Sequence, residues 1–110
     1  MILICARNRF EIVQDAMPAD SFLERLLGLI NPHNSRSLIF NTRFGIHTFF
    51  LFVDIDVLVL DKFNQIKVAK ENLKPFSFFF YNPRFSKIIE LPKGTIKNSR
   101  LLLGDKILFV

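Results

Sequence analysis

The sequence contains no tryptophan, a single tyrosine and a single cysteine, and it also lacks several motifs that would mark a function. With Cys5 alone, an internal disulfide is impossible and a cysteine-based metal cluster has too few ligands. No Gly-x-Ser-x-Gly segment is present, which removes the serine nucleophile of an elbow-type hydrolase. The apolar run from Ile46 to Asp61 falls short of the ~20 residues of a membrane helix and is interrupted by Asp54 and Asp56. The lead Met1-Ile-Leu-Ile-Cys-Ala6 has no basic residue ahead of it and is too short for the apolar region of a signal peptide, so a cytoplasmic location is expected. Internal repeats and low-complexity linkers are missing as well.

What is present suits one small core. The chain has 110 residues, enough for a single domain of the usual ~100–150. Half of the residues are hydrophobic and 14 are Phe, so core material is plentiful. The formal charge of +5 is unevenly spread. Charges nearly cancel from Met1 to Gly45, only acids occur from Ile46 to Asp61, and lysines and arginines dominate beyond. A basic C-terminal half is one signature of nucleic-acid binding. Here Lys62, Lys67, Lys74, Lys93, Lys97 and Lys106 stand singly at expected turns and strand ends, as solvated lysines do, and nucleic acid is disfavoured as a partner.

Along the chain, strands are expected at Ile2 to Ala6 and Phe10 to Gln14. Ser21-Phe22-Leu23-Glu24 has capping-box spacing, in which the hydroxyl and the carboxylate satisfy N–H groups at a helix start. Phe22, Leu26 and Ile30 then recur every four residues, and Gly28 and Pro32 stop the pattern, which predicts one short helix over Ser21–Leu29. Ser37 to Asn41 reads as a strand. Ile46 to Asp61 reads as two strand segments bent near Asp54, apolar on both faces as buried strands are. Val57 to Leu60 and Ile66 to Ala69 flank Asp61-Lys-Phe-Asn64-Gln65, a hairpin loop with Asn64 in the left-handed conformation. A looser segment runs from Leu73 to Pro83. Phe85 to Leu91 is a strand with Phe85, Ile89 and Leu91 on one face; Pro92-Lys93-Gly94 turns the chain, and Gly104-Asp105 precedes a final strand from Lys106 to Val110. About seven or eight short strands with one helix imply a mainly β fold, a compact β-barrel or β-sandwich whose helix covers an end or edge.

Certain blocks follow one another in a recognisable order: Arg25-Leu-Leu-Gly28-Leu29, Gly45-Ile-His47-Thr48-Phe49-Phe50, Ile55-Asp56-Val57, Leu60-Asp61-Lys62, Leu73-Lys74-Pro75, Glu90-Leu-Pro-Lys-Gly94-Thr95 and Gly104-Asp105. The series resembles the uncharacterised bacterial and archaeal family known as domain of unknown function 192, over nearly the whole chain from about Phe10 to Phe109. The resemblance implies a small, mainly β fold of barrel or sandwich kind, the short intracellular type of member, and no established activity. Ile30 and Leu51 stand where the family commonly has Met, and Asn64 where it has Gly; these exchanges keep apolar volume or turn geometry.

The matching positions able to carry charge or move a proton are Arg25, His47, Thr48, Asp56, Glu90 and Asp105. His47 and Asp56 suggest an acid–base couple, with the carboxylate fixing the imidazole tautomer, but no nucleophile accompanies them. Asp54 and Asp56 share a strand face to which His47 could add an imidazole, yet Asp54 departs from the family pattern and two ligands make a weak metal site. His33 is loop-borne and reads as solvent-exposed. The alternative is scaffolding: Thr48 bonded to neighbouring backbone, Asp56 accepting from N–H groups freed where the strand bends, and Glu90 paired with Arg25 beneath the helix. Burying such groups unpaired costs several kcal/mol each. In Phe76-Ser-Phe-Phe-Phe-Tyr81-Asn-Pro-Arg84, strand alternation sends about half the rings inward and leaves the rest for a homodimer contact through Phe76 to Tyr81.

The sequence thus supports a non-enzymatic domain that binds a small ligand or protein partner in a groove near Arg25, His47, Asp56 and Glu90. Thr48 and Asp105 serve as structural polar residues, and neither metal, cofactor nor membrane is called for. The alternatives are an enzyme of unspecified reaction using His47 and Asp56, and single-stranded nucleic-acid binding through Phe76 to Arg84.

Overall fold

The computed structural model of the chain describes residues 1–18, 37–43, 45–47 and 53–110. These form strands β1 (Leu3–Cys5), β2 (Glu11–Val13), β3 (Met17–Pro18), β4 (Leu38–Asn41), β5 (Gly45–His47), β6 (Ile55–Leu60), β7 (Ile66–Leu73), β8 (Phe78–Phe80) and β9 (Lys87–Pro92), a one-turn helix α1 (Thr95–Asn98), and β10 (Ile107–Phe109). The fold is mainly β, as its strand-rich text implies. The helix expected over Ser21–Leu29 lies outside the described residues, together with Arg25 and Thr48. Among the described residues no helix is long and apolar enough to cross a membrane.

Strand β6 explains the architecture. Its six residues, Ile55 to Leu60, are all buried, because it lies between β9 and β7 and is covered on both faces. The five-stranded sheet runs β3-β4-β9-β6-β7, flanked by a three-stranded sheet, β10-β1-β2, and a pair, β5-β8. Among the described residues, all pairings are antiparallel except that of β3 with β4. Period-two alternation divides the core in two. Leu58, Leu60, Ile89 and Leu91 face Leu3, Cys5, Ile12 and Ile107 of the three-stranded sheet. Val57, Val59, Ile88 and Leu38 face the other way, toward Ile46 and Tyr81 of the β5-β8 layer. One pattern expectation fails here: Phe85 packs with the second cluster while Ile89 and Leu91 belong to the first. The strand begins only at Lys87, so parity does not extend back to Phe85.

The β6-β7 hairpin turns at Asp61 to Gln65, with Asn64 at φ 63° in the left-handed region. The Asp61 Oδ1 accepts from the N–H groups of Phe63 at 2.8 Å and Gln65 at 3.0 Å, which closes the loop as an Asx turn does. Strand β7 continues four residues beyond the expected Ala69, to Leu73. Its outer end is Lys70-Glu71-Asn72, exposed and polar as suits an edge strand. Register with β6 slips here: Ile55 pairs with Leu73 but Val57 with Lys70, so β7 carries an extra residue and Asn72 adopts φ 56°.

Helix α1 has no counterpart in the sequence-based expectation. It occupies four residues after Gly94, whose φ of 87° turns the chain into it. A single turn is too short to show helical periodicity. It persists because Ile96 is buried in the first core and Thr95 Oγ1 donates to the Pro92 carbonyl at 2.6 Å.

Candidate functional site

The bulge in β7 and the start of α1 each leave a backbone N–H without a regular partner. Gly94 at the helix N-cap has no side chain to offer, so the task normally done by a capping Ser or Asp falls to another element. Asp56 of β6 fills both gaps. Its Oδ2 accepts from Ile96 N–H at 2.9 Å and its Oδ1 from Asn72 N–H at 3.1 Å, while the residue itself is fully buried. One carboxyl group therefore pins the edge strand and the helix to the centre of the sheet.

A second buried acid braces the neighbouring loop. Asp105 receives Arg7 Nε at 2.8 Å on Oδ1 and Arg7 Nη2 at 3.1 Å on Oδ2, and its Oδ2 also accepts from Leu102 N–H at 2.8 Å. Arg7 Nη2 reaches on to the Arg100 carbonyl at 2.7 Å. The hydrogen bond from Arg7, helped by the Leu102 N–H and the guanidinium charge, holds the Asp105 pKa below the ordinary carboxyl value although burial pushes the other way. The same bond raises the Arg7 pKa further.

Between these two braces lies an open groove of about 560 Å³, lined by Arg7, Glu71, Asn72, Lys97, Arg100 and the apolar Ile96, Leu101 and Leu102. Its β7 wall carries the acid Glu71. Helix α1 and the loop that follows it contribute Lys97 and Arg100. Among the described residues, the side chains of these three form neither hydrogen bonds nor ion pairs with one another or with others. Ile96 and Leu101 belong to the first core, so the groove has an apolar floor beneath a charged rim.

The residues singled out from sequence are dispersed differently. In register, Asp56 stands opposite Leu91 whereas Glu90 stands opposite Val57, so the two acids occupy opposite faces of the central sheet. Glu90 is buried on the second face at 1 % exposure, and Asp56 on the first. His47 lies in β5, whose strand covers that second face and pairs with Phe78. The expected groove containing both Asp56 and Glu90 is therefore not formed, and Asp56 is not brought together with β5 for acid–base work: the intervening sheet separates them. Asp54 is drawn outward, with Lys74 Nζ at 2.8 Å and Lys93 Nζ at 4.0 Å. Among the described residues no three His, Cys, Asp or Glu side chains gather as a metal site. Arg25 and Thr48 lie outside the described residues. Sequence reasoning missed Arg7, Glu71, Lys97 and Arg100 as groove residues; Arg7 and Arg100 are 93 positions apart, and no local motif joins them.

Fold and site together define a small mainly β domain in which buried acids brace an open groove of mixed charge. The chain belongs to the UPF0127 family, an uncharacterised family with archaeal members. It is 38% identical over 95 residues to a UPF0127 protein of Pyrococcus horikoshii, covering 81% of this chain and 82% of that protein. A Pyrococcus abyssi member is 33% identical over 95 residues, with 81% and 80% covered. No family profile matches the chain. The fold resembles a crystal structure of a protein of unknown function from Novosphingobium aromaticivorans, with TM-score 0.79, 13% identity and coverage of 98% of this chain and 84% of that one. It also resembles that of a putative transcription regulator from Sinorhizobium meliloti, with TM-score 0.74, 20% identity and coverage of 97% and 89%.

Asp56→Ala should lower stability by about 3 kcal/mol in urea unfolding, because two N–H groups lose their acceptor; Asp56→Asn, which keeps an acceptor oxygen, should lose less. Equal, near-zero losses would remove the bracing role. The Asp105 contribution has a defined pH window. Its folded pKa is depressed, so stabilisation is complete above the unfolded value of ~3.9 and fades as pH falls through the lower folded value. The melting-temperature advantage of wild type over Asp105→Asn should accordingly be largest near neutrality and shrink below about pH 4. A constant difference from neutral to acid pH would contradict it.

Proposed function

We propose that the chain is a non-enzymatic binding domain whose small-molecule ligand sits in the groove between β7 and α1. The observation that carries this reading is the pairing of a braced frame with an uncommitted rim. Asp56 and Asp105 fix the backbone on both sides, while Glu71, Lys97 and Arg100 keep their charges available. Preorganised walls reduce the ordering cost of binding, and the volume of about 560 Å³ lies within the ~300–1,000 Å³ of small-ligand sites. A cytoplasmic location belongs to this reading, supported by the free, buried Cys5. The ordered blocks from Arg25 to Asp105 support membership of domain of unknown function 192 as well.

A second reading concerns β8. Phe76, Phe78 and Phe80 are 69%, 59% and 72% exposed, and the Phe78 and Phe80 rings stack with centroids 5.8 Å apart. Phe79 packs inward and the Tyr81 hydroxyl donates to the Thr42 carbonyl, so alternation sorts this segment into core and surface. Strand β8 contains no charged residue of the kind that discourages association at sheet margins. These rings support contact with a second copy of the chain.

Amide-resolved NMR tests the first reading. Adding the small-molecule fraction of a cell extract should shift Asn72, Ile96 and Leu102, and the double variant Lys97→Met, Arg100→Met should suppress those shifts. Shifts elsewhere, or none, would reject the groove as a ligand seat. For the second, light scattering after size exclusion should give a dimer for wild type and a monomer for Phe78→Ser, Phe80→Ser. A wild-type monomer at high concentration would refute it, and salt-sensitive retention on single-stranded oligonucleotides would favour nucleic acid in its place.

A further inference from the structure

The charges of the groove are segregated, and their arrangement restricts what it can hold. Glu71 projects from the edge-strand wall; Lys97 and Arg100 come from the helix and its exit. Although they line one groove, none of the three forms an ion pair with another among the described residues. Arg7 adds little net charge, since Asp105 holds its guanidinium through two hydrogen bonds. A simple anion would satisfy Lys97 and Arg100 but leave Glu71 without a partner, and a simple cation would do the reverse. A ligand carrying both charges, with an apolar body between them, meets both walls and also covers Ile96, Leu101 and Leu102.

Resting on the groove reading above, we infer that the ligand is a small zwitterion with an apolar body, of the kind represented by a hydrophobic dipeptide. Its carboxylate faces Lys97 and Arg100, its ammonium faces Glu71, and its side chains lie on the Ile96–Leu101 floor. The groove volume of about 560 Å³ leaves room for two residues and their branched side chains. Bidentate recognition of the carboxylate is available from the Arg100 guanidinium.

The test compares three probes that share one apolar body: leucyl-leucine, its N-acetyl form without the ammonium, and its C-terminal amide without the carboxylate. In an NMR titration of the full chain, leucyl-leucine should shift the amides of Asn72, Ile96 and Leu102. Loss of either charge should weaken binding about fivefold, the scale of a solvent-exposed charge contact. Glu71→Gln should erase the preference for the free dipeptide over its acetylated form while keeping the preference over the amide. Lys97→Met with Arg100→Met should give the converse pattern. Equal affinity for all three probes would overturn the zwitterion assignment and leave the groove a ligand seat. Groove shifts with the extract fraction but not with leucyl-leucine would overturn the peptide-like class alone, and no groove shifts with either would reject both readings.

Discussion

The backbone hydrogen bonds collected by Asp56 are the constraint on which the rest of the site depends. A β-bulge and a helix started by glycine both leave N–H groups that the interior cannot tolerate unpaired, each worth roughly 1–3 kcal/mol. Placing one acid between them resolves both at once. The position is central: β6 pairs with β7 on one side and, on the other, with β9, whose exit turn leads into α1. The polar residue in the most apolar strand is thus what allows the strand's neighbours to be irregular.

That irregularity creates the groove. A β7 without the extra residue would keep its register with β6 and present a flatter edge, and a regular turn after Pro92 would leave no helix beside it. Asp105 performs a matching task for the loop from Arg100 to Leu102, using Arg7 from the other end of the chain. Asp56 and Asp105 are committed to backbone and to Arg7, and the charge at the rim comes from Glu71, Lys97 and Arg100. Frame and rim are separate sets of residues.

Relatives of 33% and 38% identity cover most of the chain, whereas structural neighbours of 13% and 20% identity preserve the fold alone. A fold of stacked short sheets is specified by apolar alternation and by a few backbone acceptors, and many sequences satisfy both requirements.

Much of the fold is legible locally. Asn64 announced the hairpin because few residues accept its backbone angles, and the unbroken apolar text of β6 announced a strand covered on both faces. The lone cysteine and the absence of a serine elbow limited the chemistry before any geometry was known. Asp56 could be read as a backbone acceptor in a bent strand, but not as the cap of α1, since nothing in the text relates position 56 to position 96. The groove was beyond sequence reasoning for the same cause. Its charges arrive from a turn after β1, the edge of β7 and the exit of α1, with Arg7 and Arg100 separated by 93 positions. Composition and periodicity settle what each segment prefers to be, because those preferences are governed by backbone angles and burial within a few residues. Which charges meet, and across what space, is decided only when distant segments pack, because electrostatic neighbours in the folded state are set by sheet order and register.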